Sequence, residues 1–366
     1  MFNNIYKGKK IFITGHTGFK GSWLTLWLTE LGAEIKGYSL PPRTPRDHFL
    51  TAGIDKICTT IFGDVRDYIS LRSEIAVFRP DIVFHLAAQP LVRQSYLNPR
   101  ETYEVNMMGT VNILEAVRGC DTVRSVINVT SDKCYQNREQ AAPYNEDDPM
   151  GGHDPYSSSK GCSELITAAY RNSFFMPDSP KNKFIASGRA GNVIGGGDWS
   201  PERIMTDIIE SLIQEKPVNV RNPHAVRPWQ HVLEPLSGYL LLGSIGFSSG
   251  CDRFARGWNF GPRADSPVTV KELTETAIHV FGSGSWIDTS DPHAPHEAKM
   301  LTLDITRAEN ELEWLPVLSF SETIEMTVSW YTHYAKTQEM MRGFSLSQIR
   351  DYTEKASAAH VKWAAC

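Results

Sequence analysis

The first half of the chain alternates short, apolar, β-branched runs with longer segments of helical periodicity. The strand-like runs are residues 9–14, 33–40, 57–64, 81–88 and 123–130. The spacing predicts an amphipathic helix after the first run, ending at Gly32, and residues 102–120 also show helical spacing of apolar residues. Strands that alternate with helices in this way pair in parallel, so the pattern predicts an α/β fold with a doubly wound parallel sheet.

The loop between the first strand and the first helix is rich in glycine. It reads TGHTGFKG and contains Gly15, Gly18 and Gly21. Glycines here let the backbone approach a pyrophosphate, and the N-terminus of the next helix offers amide donors and a positive dipole to hold it. In a chain with 27 glycines this spacing alone is weak evidence. The strand before the loop and the helix after it favour a dinucleotide site over a plain turn.

The pattern changes in the second half of the chain. Residues 184–195 are typical of one more strand followed by a loop, and beyond them glycine and proline are frequent while strand signals are short, as in residues 257–262. We therefore expect residues 1–185 to form a dinucleotide-binding Rossmann domain. Residues 186–366 are expected to form mainly a smaller substrate-binding domain, with some segments returning to the sheet.

Charge and composition argue against several classes of partner. The formal net charge of −5 gives no electrostatic basis for binding nucleic acid or an anionic membrane. The N-terminal residues lack the apolar core of a signal peptide, and no apolar run approaches the length of a membrane span, so a cytoplasmic location is expected. Six cysteines are scattered without zinc-ligand spacing, which predicts free thiols and no metal site.

Two short polar segments have the residue types for chemistry. Residues 128–137 read NVTSDKCYQN, so a hydroxyl, a carboxylate and an amine follow a buried strand as Ser131, Asp132 and Lys133. The second segment is YSSSK, in which Tyr156 and Lys160 share one face of a helix. An ammonium nearby lowers the pKa of a phenol, and the phenolate can then accept a proton from a hydroxyl. Alone, each segment would more often be a solvated turn or an exposed helix face.

The order of these motifs resembles that of the extended short-chain dehydrogenase/reductases that act on nucleotide sugars. The glycine loop, DV at residue 64, HLAA at residues 85–88, the serine after the strand and the YxxxK pair follow one another with that family's spacing over most of the chain. Two later segments are similar to family motifs, namely RAGNVIGGGDW from residue 189 and RPWQHV from residue 227. Within the family an acid directly after the serine marks the 4,6-dehydratases, and here that acid is Asp132.

The resemblance implies a set of functional residues. The implied catalytic residues are Ser131, Asp132, Lys133, Tyr156 and Lys160. The residues implied to bind NAD are Gly15, Thr17, Gly18, Phe19, Gly21, Asp64, Val65, Leu86, Ala87, Ala88, Tyr156 and Lys160. The residues implied to bind the nucleotide sugar are Gln89, Arg189, Asn192 and Arg227. In the resembled enzymes the asparagine and the arginines hold the diphosphate, to which a guanidinium can bond bidentately.

The resemblance also implies a reaction. A 4,6-dehydratase oxidises C4 of a nucleotide hexose with NAD, eliminates water across C5 and C6, and returns the hydride to C6. Elimination needs an acid for the C6 hydroxyl and a base for the C5 proton, and Asp132 and Lys133 occupy the corresponding positions. Most relatives that use dTDP-glucose have Asp-Glu here, whereas Asp-Lys is similar to the dehydratases of CDP-glucose. CDP-glucose is therefore the implied substrate, in deoxysugar biosynthesis of the O-antigen type.

Several alternatives stay open. A dehydratase of another nucleotide hexose is one, and a nucleotide-sugar 4-epimerase is another, since it shares the glycine loop, Tyr156 and Lys160 but needs no acid and base after Ser131. A non-catalytic protein that senses NAD(P) would usually lose the tyrosine or the lysine. Lys133 could also stay charged and stabilise an enolate instead of accepting the C5 proton.

The resemblance implies NAD as cofactor and a homodimer as the assembly. The acid that usually ends the second strand and binds the adenosine ribose is absent, since GYSLPPRTP offers Ser39 and Arg43, which alone favours NADP. The redox-neutral cycle of the resembled enzymes favours NAD instead. Relatives pair the helices that start near Thr102 and Tyr156 across a two-fold axis, so a homodimer is expected.

Overall fold

The computed structural model describes the whole chain except residues 141, 177–178, 180–181, 249–251, 264–267, 292–300, 338–339 and 366. Its strands are Lys10–Thr14 (β1), Glu34–Ser39 (β2), Thr59–Phe62 (β3), Ile82–His85 (β4), Ser125–Val129 (β5), Phe184–Arg189 (β6), Val193–Ile194 (β7), Val218–Val220 (β8), Val226–Arg227 (β9), Gln230–His231 (β10), Gly257–Asn259 (β11), Val268–Thr269 (β12) and Trp286–Asp288 (β13). Its α-helices are Phe19–Glu30 (α1), His48–Thr51 (α2), Tyr68–Phe78 (α3), Val92–Leu97 (α4), Pro99–Tyr103 (α5), Gly109–Arg118 (α6), Pro155–Phe174 (α7), Ile204–Ile213 (α8), Leu233–Ser248 (α9), Val270–Phe281 (α10), Phe320–Thr337 (α11) and Arg342–Ala358 (α12).

The central sheet has seven parallel strands in the order β11–β6–β5–β4–β1–β2–β3. The chain starts in the middle, runs outwards to β3, then crosses to β4 and runs outwards on the other side. The direction of winding reverses between β1 and β4, which pair from Ile11 with Ile82 to Thr14 with His85. The predicted doubly wound parallel sheet is therefore confirmed. In sheets of this kind ligands bind at the carboxyl edge, next to the reversal.

Alternate residues of the strands face two separate cores. In β1, Ile11 and Ile13 belong to a core that also contains Trp23 of α1, whereas Phe12 faces a second core with Ile75 of α3. β4 and β5 are buried along their whole length. Continuous burial is what a parallel strand requires when helices cover both faces of its sheet.

Helix α1 differs from the prediction. The sequence predicted an amphipathic helix, but residues 21–28 are buried on every side. The helix contacts both α9 and α12. The rings of Trp27 in α1 and Tyr352 in α12, for example, meet edge to face with their centroids 5.8 Å apart. The helix therefore lies between the sheet and the C-terminal part of the chain.

The expected domain boundary after residue 185 falls inside a strand. β6 pairs with β5 from Phe184 to Gly188, so the chain is continuous sheet across that point. From the second half, β11 pairs with β6 at the edge of the sheet, and α9 packs against β5 and β6. Segments of the second half thus return to the sheet. The other segments form a smaller layer from α8, α10 and three two-stranded ribbons, β7–β10, β8–β13 and β9–β12.

A buried carboxyl group joins the C-terminal segments to α9. Glu234, near the start of α9, accepts hydrogen bonds from the backbone N–H groups of Val317 and Leu318, at 2.9 and 2.7 Å. It also accepts one from the hydroxyl of Tyr352 in α12, at 2.7 Å. Burial raises the pKa of Glu234 from 4.5 to about 7. Between pH 4.5 and about 7, the folded protein therefore keeps a proton on Glu234 that the unfolded chain has released.

We expect this proton to make stability depend on pH. Because the pKa of Glu234 is higher in the folded state, its protonation adds fully to the free energy of unfolding below pH 4.5. This stabilisation is lost as the pH rises to about 7. Glu234→Gln, which stays neutral, should remove this part of the decline, worth up to about 3 kcal/mol. Urea unfolding of both proteins at about pH 5 and about pH 8 measures it. An equal decline in the variant and the wild type would contradict the assignment.

Candidate active site

A large cavity lies at the carboxyl edge of the sheet. Its walls come from the ends of β1, β4, β5 and β6, from the first turn of α1 and from the smaller layer. Its volume is about 940 Å³, near the upper end of the usual range for a ligand pocket, roughly 300–1,000 Å³. The cavity is therefore large enough for a dinucleotide together with a second sizeable ligand.

The glycine loop forms a cradle at one end of this cavity. Gly15 has a φ of +77°, and a Cβ atom on it would lie 2.7 Å from the backbone nitrogen of Ala87. A Cβ atom on Gly21 would overlap the carbonyl oxygen of Gly15, so the loop can pack against α1 only without side chains there. Gly18 is exposed and caps the N-terminus of α1. This arrangement fits the pyrophosphate of a dinucleotide.

Every residue implied to bind the dinucleotide lines the cavity. These residues are Gly15, Thr17, Gly18, Phe19, Gly21, Asp64, Val65, Leu86, Ala87, Ala88, Tyr156 and Lys160. Ser39 and Arg43 line it as well. The Ser39 hydroxyl lies 2.7 Å from the Thr17 hydroxyl, so the end of β2 is tied to the glycine loop by a neutral contact.

A tight turn after β5 brings together the hydroxyl, the carboxyl group and the amine. Asp132–Cys134 is a single 3₁₀ turn that Ser131 caps, with the backbone N–H of Lys133 donating to the Ser131 hydroxyl at 3.3 Å. The Ser131 hydroxyl in turn donates to Asp132 Oδ1 at 2.9 Å. Asp132 Oδ2 is buried and has no hydrogen-bond partner among the described residues. A Cβ atom on Gly191 would overlap this carboxyl group, so glycine is required there.

Tyr156 and Lys160 are both buried in the first turns of α7. The start of the helix is fixed by Asp154, which accepts from the backbone N–H of Ser157 at 2.9 Å. The Lys160 ammonium donates to the carbonyl oxygen of Val129 at the end of β5, at 3.3 Å. Burial lowers the pKa of Lys160 to about 8. The tyrosine and the lysine therefore lie beside the turn that carries Ser131.

The pKa of Tyr156 differs from the expectation. Burial raises it, and a hydrogen bond with Ser131 and the charge of Arg203 lower it only in part. The Lys160 ammonium donates its hydrogen bond to the Val129 carbonyl oxygen at the end of β5. In this state of the site the phenol therefore keeps its proton more strongly than a phenol in water.

The pKa of Lys133 is lowered, and burial is the largest cause. The charge of Asp132 acts in the opposite direction, while Arg203 and Arg227 lower the pKa further. Both arginines belong to the smaller layer, Arg203 just before α8 and Arg227 in β9. The Lys133 amine lies 5.9 Å from the centre of the Tyr156 ring. The amine is thus near the tyrosine and biased towards its neutral form.

Two of the residues implied to bind substrate, Arg189 and Gln89, lie outside the cavity wall. Arg189 does not line the cavity; it is buried and forms an ion pair with Glu164, at 2.8 Å. It also donates to the hydroxyl of Tyr135 at 2.8 Å. Glu164 accepts further hydrogen bonds from Thr130 and Ser187. Because its charge is neutralised inside the protein, Arg189 supports the end of β5 instead of holding a diphosphate.

Gln89 is corrected for a similar reason. Its amide nitrogen donates to the Thr102 hydroxyl at 2.9 Å, and its amide oxygen accepts from the backbone N–H of Leu91 at 2.6 Å. Its side chain therefore shapes the loop before α4 and does not line the cavity. Asn192 and Arg227 do line it, and Asn192 has a left-handed φ of 44°.

The sequence did not single out several polar residues of the cavity. Lys20 lies in the first turn of α1, where burial, assisted by Arg203 and Lys160, lowers its pKa to about 7. The sequence feature that could have identified Lys20 is its position as a cation inside the glycine motif. Arg203 precedes α8 and donates to the carbonyl oxygen of Pro90 at 3.3 Å. Trp199 and Trp229 are buried in the cavity wall, and the indole N–H of each is without an acceptor among the described residues.

Other kinds of site are not seen in the part of the chain that the structure describes. It contains no cluster of histidine, cysteine, aspartate or glutamate suited to a metal ion, and Cys58, Cys120, Cys134 and Cys162 are free thiols. Cys251 and Cys366 lie outside the described residues. Among the described helices, none combines the length and the apolar character needed to cross a membrane.

Comparison with known proteins gives a consistent group of relatives. A family model described as GDP-mannose 4,6 dehydratase matches residues 12–243. The CDP-glucose 4,6-dehydratase of Salmonella typhimurium is 47% identical over 352 residues, which cover 95% of this chain and 97% of that protein.

Solved structures agree with the fold. An epimerase from Methanothermobacter thermautotrophicus superposes with a TM-score of 0.76 at 22% identity, covering 91% of this chain and 95% of its own. The dTDP-glucose 4,6-dehydratase of Streptomyces venezuelae, solved with NAD and TYD bound, gives a TM-score of 0.75 at 23% identity, covering 88% and 97%. Since one is a dehydratase and the other an epimerase, the fold alone does not separate these two activities.

Proposed function

This chain belongs to the nucleotide-sugar 4,6-dehydratase family of extended short-chain dehydrogenase/reductases, and from that premise we propose that it is an NAD-dependent CDP-glucose 4,6-dehydratase. The proposed reaction converts CDP-glucose into CDP-4-keto-6-deoxyglucose and water. One observation carries the proposal. The turn after β5 provides an acid and an amine, Asp132 and Lys133, and Tyr156 and Lys160 of α7 lie beside them in the same cavity. A 4-epimerase needs only the first pair.

The cavity suits the cofactor and the first step. When bound, NAD would accept a hydride from C4 of the sugar and later supply it to C6. The glycine cradle would hold its pyrophosphate, and we propose NAD over NADP because the related dehydratase from Streptomyces venezuelae was solved with NAD. Tyr156 is proposed to accept the proton of the C4 hydroxyl. If the Ser131 hydroxyl turns from Asp132 to donate to Tyr156, it favours the phenolate, against the opposing effect of burial.

The elimination uses the turn after β5. Lys133 is proposed to accept the C5 proton, while Asp132 donates a proton to the C6 hydroxyl, so that the C6–O bond breaks and water leaves. A double bond then joins C5 and C6 next to the C4 ketone. The Asp132 oxygen without a partner lines the cavity, where a substrate hydroxyl could meet it. A protonated Asp132 also no longer favours the ammonium form of Lys133.

Isotope labelling tests the proposed cycle. CDP-glucose deuterated at C4 should give a 4-keto-6-deoxy product with the label at C6, because the hydride removed in the first step is returned in the last. Mass spectrometry and NMR of the product measure this, with dTDP-glucose assayed in parallel. Loss of the label to solvent or to free cofactor would exclude the cycle, and a product that keeps oxygen at C6 would favour an epimerase.

We also propose that the protein is a homodimer formed through its helices at residues 92–118 and α7. These helices carry large apolar side chains that the monomer leaves open to solvent: Leu97 is 75% exposed, Met108 49% and Leu165 59%. Large exposed apolar side chains can form such an interface when neighbouring helices present them on one face. A dimer would cover all three side chains about a two-fold axis.

Sedimentation tests the dimer. The wild-type protein should sediment as a dimer at micromolar concentration. Leu165→Glu should shift it towards the monomer, because a charge would be buried at the interface. Ile69→Glu, a change at another exposed apolar residue, on α3, should leave the dimer intact. A wild-type monomer at that concentration would rule the proposal out.

The biological setting follows from the proposed substrate. Nucleotide sugars and NAD are cytoplasmic metabolites, so we propose a cytoplasmic enzyme. A 4-keto-6-deoxy sugar bound to a nucleotide is a precursor of deoxysugars, and we propose a role in their biosynthesis, including sugars of the O-antigen type.

A further inference from the structure

We propose that Arg221 recognises the base of the nucleotide sugar by donating two hydrogen bonds, to O2 and N3 of cytosine. The inference rests on the proposed function, because it assumes that a cytidine diphosphate sugar occupies the cavity. It assigns to one side chain the discrimination between cytosine and the other pyrimidines.

The position of Arg221 fits the nucleoside end of the ligand. Arg221 and Arg227 both line the cavity, on the segment that joins β8 to β9 and on β9 itself. Arg227 lies just before Gln230, whose side chain donates to the carbonyl oxygen of Gly191 next to Asp132. Arg221 instead follows β8, which pairs with β13 outside the central sheet. Arg221 therefore lies farther from the reacting sugar than Arg227. In a nucleotide sugar, the group beyond the diphosphate is the nucleoside.

The guanidinium of Arg221 is available to a ligand. Its side chain is 43% exposed, and its ion-pair partner among the described residues is Asp207, at 3.9 Å. That distance is beyond hydrogen-bond range. Arg189 is the contrasting case, since its guanidinium is buried against Glu164. The planar fork of Arg221, with five N–H donors and no acceptor, is thus not consumed by the protein.

The cavity near Arg221 also has apolar walls. Met205 of α8, Ala225 of the segment before β9 and Val270 of α10 all line it. The backbone N–H of Val270 donates to the carbonyl oxygen of Ala225 at 3.0 Å, which fixes these two walls relative to each other. Next to them, the antiparallel pairing of Val268 with Arg227 fixes the distance to the proposed diphosphate site. Apolar walls beside a donor fork suit a flat aromatic ring with a polar edge.

The chemistry of the pyrimidines explains why an arginine would discriminate. Cytosine presents two neighbouring acceptors, O2 and N3, and a guanidinium can donate to both at once. In thymine and uracil N3 carries a hydrogen, so one arm of the fork would face another donor. Two N–H groups that face each other repel, and a base seated on the guanidinium would keep water from that arm, which disfavours the wrong base. A diphosphate can also accept two hydrogen bonds from a guanidinium. The experiment must therefore distinguish binding to the cytosine base from binding to the diphosphate.

The test compares Arg221→Met and Arg221→Lys with the wild type, using Arg350→Met as a control at a surface arginine of α12. For CDP-glucose, Arg221→Met should raise KM by about 10- to 100-fold with little change in kcat. In calorimetry, Arg221→Met should lose affinity for CDP by a similar factor, whereas its affinity for dTDP should change by less than about 3-fold. Arg221→Lys keeps the charge but loses the fork, so it should behave like the methionine variant towards CDP-glucose. The control should match the wild type.

Two results would overturn the assignment. Equal losses of affinity for CDP and dTDP in Arg221→Met would mean that Arg221 contacts the phosphates or the ribose. Full rescue by Arg221→Lys would mean that charge alone matters, which also indicates a phosphate. If instead the wild-type enzyme turns over dTDP-glucose but not CDP-glucose, the proposed function itself fails. That result is distinguishable, because it appears before any residue is changed.

Discussion

Tyr156→Phe is expected to stop the reaction before any cofactor is reduced. The change removes the hydroxyl that would accept the C4 proton and keeps the ring that packs near Lys133. General base catalysis contributes about 10²- to 10⁴-fold, so kcat should fall by that factor. In a single turnover with excess enzyme, the absorbance of reduced nicotinamide should not appear.

Tyr170→Phe is the matched control, because Tyr170 lies on the same helix and its hydroxyl contacts Glu115 instead of the cavity, at 3.4 Å. This variant should reduce the cofactor at the wild-type rate. If Tyr156→Phe also forms reduced nicotinamide at close to the wild-type rate, the C4 proton goes to another group and the assignment of Tyr156 is wrong.

Lys133→Met should leave the first oxidation intact and block the elimination. Without the amine the turn after β5 keeps only Asp132 as an acid–base group of the proposed mechanism, and Asp132 is assigned to the C6 hydroxyl, so kcat should fall by about 10²- to 10⁴-fold. Reduced cofactor should then accumulate with CDP-4-ketoglucose bound, and sugar recovered from deuterated water should carry no deuterium at C5. Lys271→Met, at a half-exposed lysine of α10, is the matched control and should behave as the wild type.

The dependence of elimination on pH separates two roles for Lys133. As a base it must be the free amine, so the rate of C5 exchange should rise as the pH passes through the lowered pKa. As an ammonium that stabilises an enolate it must be charged, and the rate should then fall over the same range. Exchange at close to the wild-type rate in Lys133→Met would exclude it as the base.

Local patterns predicted the strands and the glycine loop well. β1, β4 and β5 coincide with runs of apolar residues. The requirement for glycine at residues 15 and 21 comes from the backbone of the same short segment and of Leu86 and Ala87, just after β4. The full burial of α1 was not predictable in the same way. It depends on α12, more than three hundred residues later in a chain of 366, and no local signal in α1 reveals that contact.

The sequence predicted where the candidate site lies better than it predicted the contacts of each side chain. The resemblance brought Ser131, Tyr156 and Lys160 to one place, but a motif does not state which way a side chain points. Arg189 ends β6, which is buried along its length, and its partner Glu164 comes from helix α7, so tertiary packing decided its role. Arg203 lies in a loop rich in glycine and proline, where no periodicity marks a functional residue.

The late arrival of β11 and α12 has a consequence for how the chain folds. During synthesis β6 emerges with one edge open, because its partner at Gly257–Asn259 has not yet been made. Trp27 likewise stays uncovered until α12 leaves the ribosome. Open strand edges and exposed aromatic side chains favour aggregation. The nascent chain therefore completes its native packing only near the end of translation, and a product cut short before α12 would be a substrate for chaperones or proteases instead of a partly active enzyme.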